Sequence, residues 1–286
     1  MENLQAGTVQ TLKVDREVPF GYFLTNGRED VLLHNNEVGE GFDPEQPQTV
    51  FLYQDHQGRL SATMTIPTIQ IGTYDWVDVV EVKGRFGVFV NIGIKKDVLV
   101  SKDDLPEILE LWPEAGDRLY CTLKTDKKGR LFGELASEGV IREIAEVATE
   151  ADFNKDVTGT AYRLLKVGTF IVTEENYLGF IHESQRKREP RLGEKVEGRI
   201  IDVKEDGSVN ISLLGRSHEA MGDDAKAIFA YLESRGGAMP YWDKSQPEDI
   251  KARFNMSKAA FKRALGKLMK EGMVYQEDGW TYKKGV

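Results

Sequence analysis

Sulfur and metal chemistry have little to work with in this sequence. It holds one cysteine, Cys121, in 286 residues, so no internal disulfide forms and no multi-cysteine zinc site can be built. The histidines, His34, His56, His182 and His218, stand at no metal-ligand spacing, and His182-Glu183 lacks the second histidine of a helical zinc-protease motif. No apolar run approaches the ~18 to 20 residues that cross a bilayer. The opening Met1-Glu2-Asn3-Leu4-Gln5 has neither the basic flank nor the apolar stretch of a signal peptide. These absences predict a cytoplasmic chain with no metal, cofactor or membrane contact. There is no P-loop, no G-x-S-x-G elbow and no carboxylate pair in a catalytic setting, and acids such as Asp103-Asp104 or Glu174-Glu175 read as solvated surface. A binding protein, not an enzyme, is expected.

Glycine is abundant: 28 residues, well above the usual share of about 7%, which favours strands joined by tight turns. The formal charge of −9 is unevenly spread. Residues 1–66 carry four cations against ten anions, whereas 222–286 carry twelve against nine, so the acid lies at the front and the last segment is basic.

A threefold repeat organises the rest. Asp55-His56-Gln57-Gly58-Arg59-Leu60 and Asp126-Lys127-Lys128-Gly129-Arg130-Leu131 share D-x-x-G-R-L between apolar alternating stretches, and Glu205-Asp206-Gly207-Ser208-Val209 is a third, degenerate copy; all read as hairpins. Upstream of each lies an apolar-Gly-x-Phe segment: Phe20-Gly21-Tyr22-Phe23, Phe86-Gly87-Val88-Phe89 and Val167-Gly168-Thr169-Phe170. A short apolar strand follows each, ending at His34, Ser101 and Ser184. Five short strands per unit of 65 to 75 residues suit a small closed barrel. Alternation separates Phe86, Val88 and Val90 from Gly87 and Phe89 unless the glycine marks a bulge, so burial and ligand contact stay open for each ring.

These motifs resemble the S1 family of RNA-binding OB-fold domains, with the first repeat the weakest match. Three such units followed by a basic helical domain are similar to the conserved virulence factor B family of S1-type RNA-binding proteins. The resemblance implies RNA contacts at the two aromatics, at a third-strand histidine and at the hairpin Asp and Arg. In the second repeat these are Phe86, Phe89, Asp126 and Arg130, with Leu99 at the histidine position. The first keeps Phe20, Phe23, Asp55 and Arg59, with Leu32 there, and the third keeps Phe170 and His182 but has Val167, Lys204 and Ser208 at the other positions. No repeat carries the full set, so affinity is expected from several weak sites on one strand. Two basic patches add phosphate contacts: Arg186, Lys187, Arg188 and Arg191 in one loop, and Lys124, Lys127, Lys128 and Arg130 at a hairpin tip. Glutamates interleave the first, so a plain solvated loop remains open.

Val140, Ile141, Ile144, Val147 and Ala148 follow helical spacing, predicting one helix across 138–156 that joins repeats two and three and is no recognition element. Beyond His218, Asp223 or Asp224 is expected to cap a helix with Ala227, Ile228, Tyr231 and Leu232 inward. Pro247 opens a second, with Ile250, Ala252 and Phe254 partly inward, and Ser257 a third with Phe261, Leu265, Leu268 and Met269 buried. A hairpin through Glu277-Asp278-Gly279 completes a winged helix. Its third helix presents Lys258, Lys262, Arg263, Lys267 and Lys270, a basic face for nucleic acid or for protein docking.

The expected architecture is a mainly β multidomain chain: S1-like barrels at 1–66, 67–137 and 157–217, a helical linker at 138–156, and an α+β winged-helix domain at 222–286. The expected function is single-stranded RNA binding along the barrels, with the winged helix assisting on duplex nucleic acid or a protein; the resemblance implies a regulator of gene expression or RNA turnover. Two alternatives stand beside it: an adaptor whose acidic front docks ribosomal, transcription or RNA-degradation machinery, and a winged-helix DNA-binding regulator.

Overall fold

The computed structural model describes residues 3–214 and 222–284, which fall into two compact units divided after Leu213. His218 and the expected end of the third repeat at 215–217 lie outside the described residues.

Alternating apolar residues close the first unit into three five-stranded barrels. The first uses β1 (Val9–Val18), β2 (Gly21–Thr25), β3 (Asp30–His34), β4 (Gln48–Gln54) and β5 (Leu60–Thr63). The second uses β6 (Asp75–Lys83), β7 (Gly87–Asn91), β8 (Val98–Ser101), β9 (Arg118–Thr125) and β10 (Leu131–Leu135), and the third β11 (Asp156–Leu165), β12 (Gly168–Thr173), β13 (Leu178–His182), β14 (Lys195–Val203) and β15 (Val209–Ser212). In each the order is first, second, third, fifth, fourth, closing on the first; only the third and fifth strands pair in parallel. This is the OB-fold arrangement.

The motif glycine has a steric cause. A Cβ on Gly87 would lie 2.0 Å from the Val100 carbonyl oxygen, and one on Gly168 2.4 Å from that of Ile181, so the strand start approaches its neighbour more closely than a side chain allows. At φ +137° Gly87 also breaks the alternation. Phe86 precedes the strand and is exposed, Val88 and Val90 fill the barrel, and Phe89 is half-buried on the outside.

The barrels are joined through shared interiors. Phe51 of β4 packs into the core of the second barrel, as does Leu192 from the loop before β14. Lys96 donates to the Gln54 and Asp55 carbonyls at 2.7 and 3.1 Å, and the Leu192 and Arg118 amides donate to Leu111 and Gly193 oxygens at 3.0 Å.

The single helix expected over 138–156 is not there. Helix α1 covers only Glu138–Glu143, capped by Ser137, and a 3-10 turn covers Glu150–Asp152. Between them the Glu146 amide donates to the Asn176 oxygen at 2.9 Å and the Ala148 amide to the Gly207 oxygen at 3.0 Å. These bonds to the third barrel take over the amides that a continuing helix would use, while Val147 points outward, 68% exposed.

The second unit contains α2 (Asp223–Ser234), β16 (Ala238–Met239), α3 (Pro247–Phe254), α4 (Lys258–Lys270), β17 (Val274–Glu277) and β18 (Trp280–Lys283), with the strands ordered β16-β18-β17. Ile228, Leu232, Ile250, Phe261, Leu265 and Leu268 form its core. Pro247 stands in the first turn of α3, and the Ser257 hydroxyl accepts from the Ala260 amide at 3.2 Å. Four expectations fail. Gly222 is the cap of α2, with Asp223 and Asp224 in its first turn, where anions favour the helix dipole. Ala225, not Ala227, faces the core beside Ile228, and Ala252 and Met269 are exposed because the residues beside them complete the buried stripes.

Candidate nucleic-acid interface

Register across the second, third and fifth strands builds one outward row per barrel. In the first, Phe23 pairs with Leu32 and Leu32 with Ser61. In the second, Phe89 pairs with Leu99 and Leu99 with Phe132. In the third, Phe170 pairs with Phe180 and Phe180 with Asn210. The third row is the most aromatic: Tyr162, Phe170, Phe180 and His182 follow one another with centroids 6.2, 4.9 and 6.4 Å apart. The rings are half-buried, His182 exposed, so each keeps a face or edge for solvent.

Cations sit over these rings. Arg16 lies 4.1 Å from the Phe23 centroid, Lys83 5.2 Å from Phe89, Arg130 5.6 Å from Phe132, Arg163 5.8 Å from Phe170 and Lys204 5.8 Å from Phe180. Arg16 and Arg163 directly oppose their phenylalanines just past a bulge in the first strand. Sequence reasoning missed Arg16, Lys83, Arg163, Phe132, Phe180, Tyr162 and Lys204 as site residues. A cation seven residues ahead of the motif phenylalanine in repeats one and three was the available signal. In the third barrel Tyr162, Phe170, Phe180, Lys204 and Ser208 line a cleft of about 100 Å³, which sets ring surfaces beside a cation.

The hairpin Asp and Arg hold each other. Asp126 accepts from the Lys128 and Arg130 amides at 2.8 and 2.9 Å and from Arg130 Nε at 2.7 Å; Asp55 does the same with Gln57 and Arg59. Desolvation pushes both carboxyls up, but the bonds from the arginine amides and side chains outweigh it and hold them below the ordinary carboxylate range. The aspartates are therefore hairpin clasps facing their own loop. Arg130, exposed and over Phe132, remains beside the outer row, and Lys127 and Lys128 are exposed at the tip. Lys124 is paired with Asp104 at 3.1 Å.

Two expectations are corrected, one by strand register and one by ion pairing. His182 pairs with Gly168 as His34 does with Gly21 and Ser101 with Gly87; its true equivalents are His34 and Ser101, while Leu32 and Leu99 match Phe180. Like His34, it caps a short 3-10 turn through Nδ1, accepting from the Ser184 amide at 3.2 Å. The basic loop is also largely engaged. Arg186, its side chain 7% exposed, bonds Thr169 and Glu189; Arg188 forks onto Glu194; Arg191 forks onto Asp117 at 3.1 and 3.2 Å. These arginines hold the loop to the second and third barrels; Lys187 and Arg188 are the exposed cations of the four, Arg188 while paired with Glu194. Phe20, Phe86 and Val167 occupy equivalent turns and are all exposed.

On α4, Lys262, Arg263, Lys267 and Lys270 are exposed and Lys258 is half-buried. The wing adds a stack absent from the sequence reading: Tyr275 and Tyr282 at 5.2 Å and Trp280 and Tyr282 at 6.5 Å. Among the described residues no His, Cys, Asp or Glu group is arranged to hold a metal ion, and no helix is long and apolar enough to cross a membrane.

Fold and site together define a protein of tandem S1-type OB barrels followed by a winged helix, with outward aromatic rows flanked by cations. Residues 6–65 match an S1 domain, 74–134 the CvfB first S1-like domain, 141–215 the second domain of virulence regulatory factor CvfB, and 226–282 the CvfB-like winged helix domain. The chain is similar to conserved virulence factor B of Staphylococcus epidermidis, 43% identical over 88% of this chain and 85% of that one. It is 52% identical to the uncharacterized protein YitL of Bacillus subtilis, over 99% and 95% of the two chains. The crystal structure of a multidomain protein with nucleic acid binding domains from Streptococcus pneumoniae superposes with a TM-score of 0.68 at 38% identity, covering 98% of each chain. The chain belongs to the conserved virulence factor B family.

Proposed function

We propose that this protein binds single-stranded RNA along the outward rows of its barrels, chiefly the third, and acts as a regulator of gene expression at the RNA level. The observation that carries this reading is the four-ring series Tyr162, Phe170, Phe180 and His182 with Arg163 and Lys204 over its rings. Rings stack on any base and cations grip the backbone, which is the physics of sequence-tolerant single-strand binding. Membership of a family of virulence regulatory factors and the nucleic-acid-binding domains of the pneumococcal relative support it. The exposed cations of α4 favour a second, electrostatic contact by the winged helix; by themselves they identify no base-edge contact, so sequence-specific reading is not part of the proposal.

The test is fluorescence anisotropy of a labelled oligoribonucleotide with the full chain and with Phe170→Ala/Phe180→Ala. Base stacking is worth about 1 to 3 kcal/mol per base, so the double variant should bind at least about tenfold more weakly. Affinity of the unaltered chain should fall steeply with salt. Equal binding by both proteins, or binding indifferent to salt, overturns the reading.

A further inference from the structure

One wall of the third barrel's cleft does not belong to that barrel. Arg142, on α1 in the connection from the second barrel, lines the cleft with Phe170 and Phe180. One turn earlier Glu138 accepts from Arg142 Nε and Nη2 at 3.2 and 2.8 Å and is also ion-paired with Arg163 of β11. A single carboxylate is thus shared by two guanidiniums, one from the linker and one lying over the ring of Phe170. All three side chains reach solvent, at 34%, 59% and 44% exposure for Glu138, Arg142 and Arg163. Exposed ion pairs of this kind are weak and exchange readily. Two planar guanidiniums converging on one oxyanion are also the donor set that recognises a phosphodiester.

We propose that Arg142 and Arg163 form a backbone-phosphate subsite of the third barrel, and that Glu138 occupies it in the free protein. A strand whose bases lie on Phe170 and Phe180 brings a phosphate to this edge, where it displaces the carboxylate from both arginines. The subsite rests on the reading of the third barrel as an RNA surface, and gives the linker a part in setting affinity. Glu138 neutralises one of the two cations, so the free site attracts a phosphate more weakly than its arginines alone would.

The test uses the full chain and a labelled oligoribonucleotide between about 50 and 200 mM salt. Glu138→Gln keeps the shape and removes the charge; it should tighten binding by about threefold to tenfold. Arg142→Gln should weaken binding and reduce the slope of log affinity against log salt by about 0.7, the value for one single-strand phosphate contact. Arg142→Lys, which keeps the charge, should retain the slope. Unchanged or weaker binding by Glu138→Gln, or an unchanged slope for Arg142→Gln, overturns the subsite. If these two variants are silent while Phe170→Ala/Phe180→Ala loses affinity, the subsite alone falls. If the aromatic variant also binds normally, the RNA reading of the third barrel falls with it.

Discussion

Arg191 gives the sharpest test of how the second and third barrels are held together. Its Nε and Nη2 fork onto Asp117 at 3.1 and 3.2 Å, Nη2 lies 3.6 Å from Glu114, and Nη1 lies 3.8 Å from Glu194. The arginine side chain is 21% exposed and the Asp117 and Glu194 carboxylates 10% and 11%. Removing one partner of a fully buried pair costs about 3 to 5 kcal/mol, and of an exposed pair at most about 1. Asp117 keeps little water and one amide, from Glu114 at 2.8 Å, so Arg191→Met should destabilise the barrel unit by about 2 kcal/mol. Arg191→Met/Asp117→Asn strands no charge and should recover about half of the loss. Urea unfolding followed by tryptophan fluorescence measures both, because Trp76 and Trp112 lie in the second barrel. The Glu194 carboxylate at the same junction makes a separate, acid-sensitive contribution. Burial raises the Glu194 carboxyl, but hydrogen bonds from Arg188 and the Arg191 amide hold it below its ordinary value. Its contribution is therefore present above about pH 4.3 and lost as pH falls through the lower folded value. A change below about 0.5 kcal/mol, within the range of ordinary surface substitutions, would refute the staple.

Gly87→Ala should lower stability by on the order of 3 kcal/mol or more, because the new Cβ meets the Val100 oxygen at 2.0 Å; an unchanged urea midpoint contradicts this. Asp126→Ala, which removes the acceptor oxygen, should speed hydrogen exchange at the Lys128 and Arg130 amides that its carboxylate accepts, leaving the matching amides of the first barrel unaffected. Since that carboxyl is held low, the native clasp should loosen only as pH drops below the ordinary aspartate value of about 3.9; equal protection in both proteins rules the clasp out. Burial pushes the Cys121 thiol up to about 12, so a thiol reagent at neutral pH should modify it only in denaturant, and stoichiometric reaction of the native protein would count against its placement.

Features written in short-range chemistry were legible before the structure. The D-x-x-G-R hairpin is recognisable because Asp126 bonds groups no more than four residues away. The third helix of the winged domain begins at Ser257 because that hydroxyl satisfies a neighbouring amide. Where a distant partner intervenes, local reading fails. The stretch 144–149 has helical spacing, but its Glu146 and Ala148 amides donate to Asn176 and Gly207, and Arg191 looks free until Asp117, 74 positions earlier, is brought beside it. Motif spacing sets His182 level with Leu32 and Leu99, whereas register pairs it as His34 and Ser101 are paired, because a motif does not specify which residues face each other across strands.

The sequence by itself determined three glycine-punctuated barrels and a basic winged helix, since side-chain periodicity, turn glycines and helix caps act over a few residues. Only the tertiary structure decided which rings share a row and which cations remain beside them. In a closed barrel a bulge of one residue turns every later side chain to the opposite face. The bulges at Val14/Arg16 and Ala161/Arg163 thereby set Arg16 over Phe23 and Arg163 over Phe170.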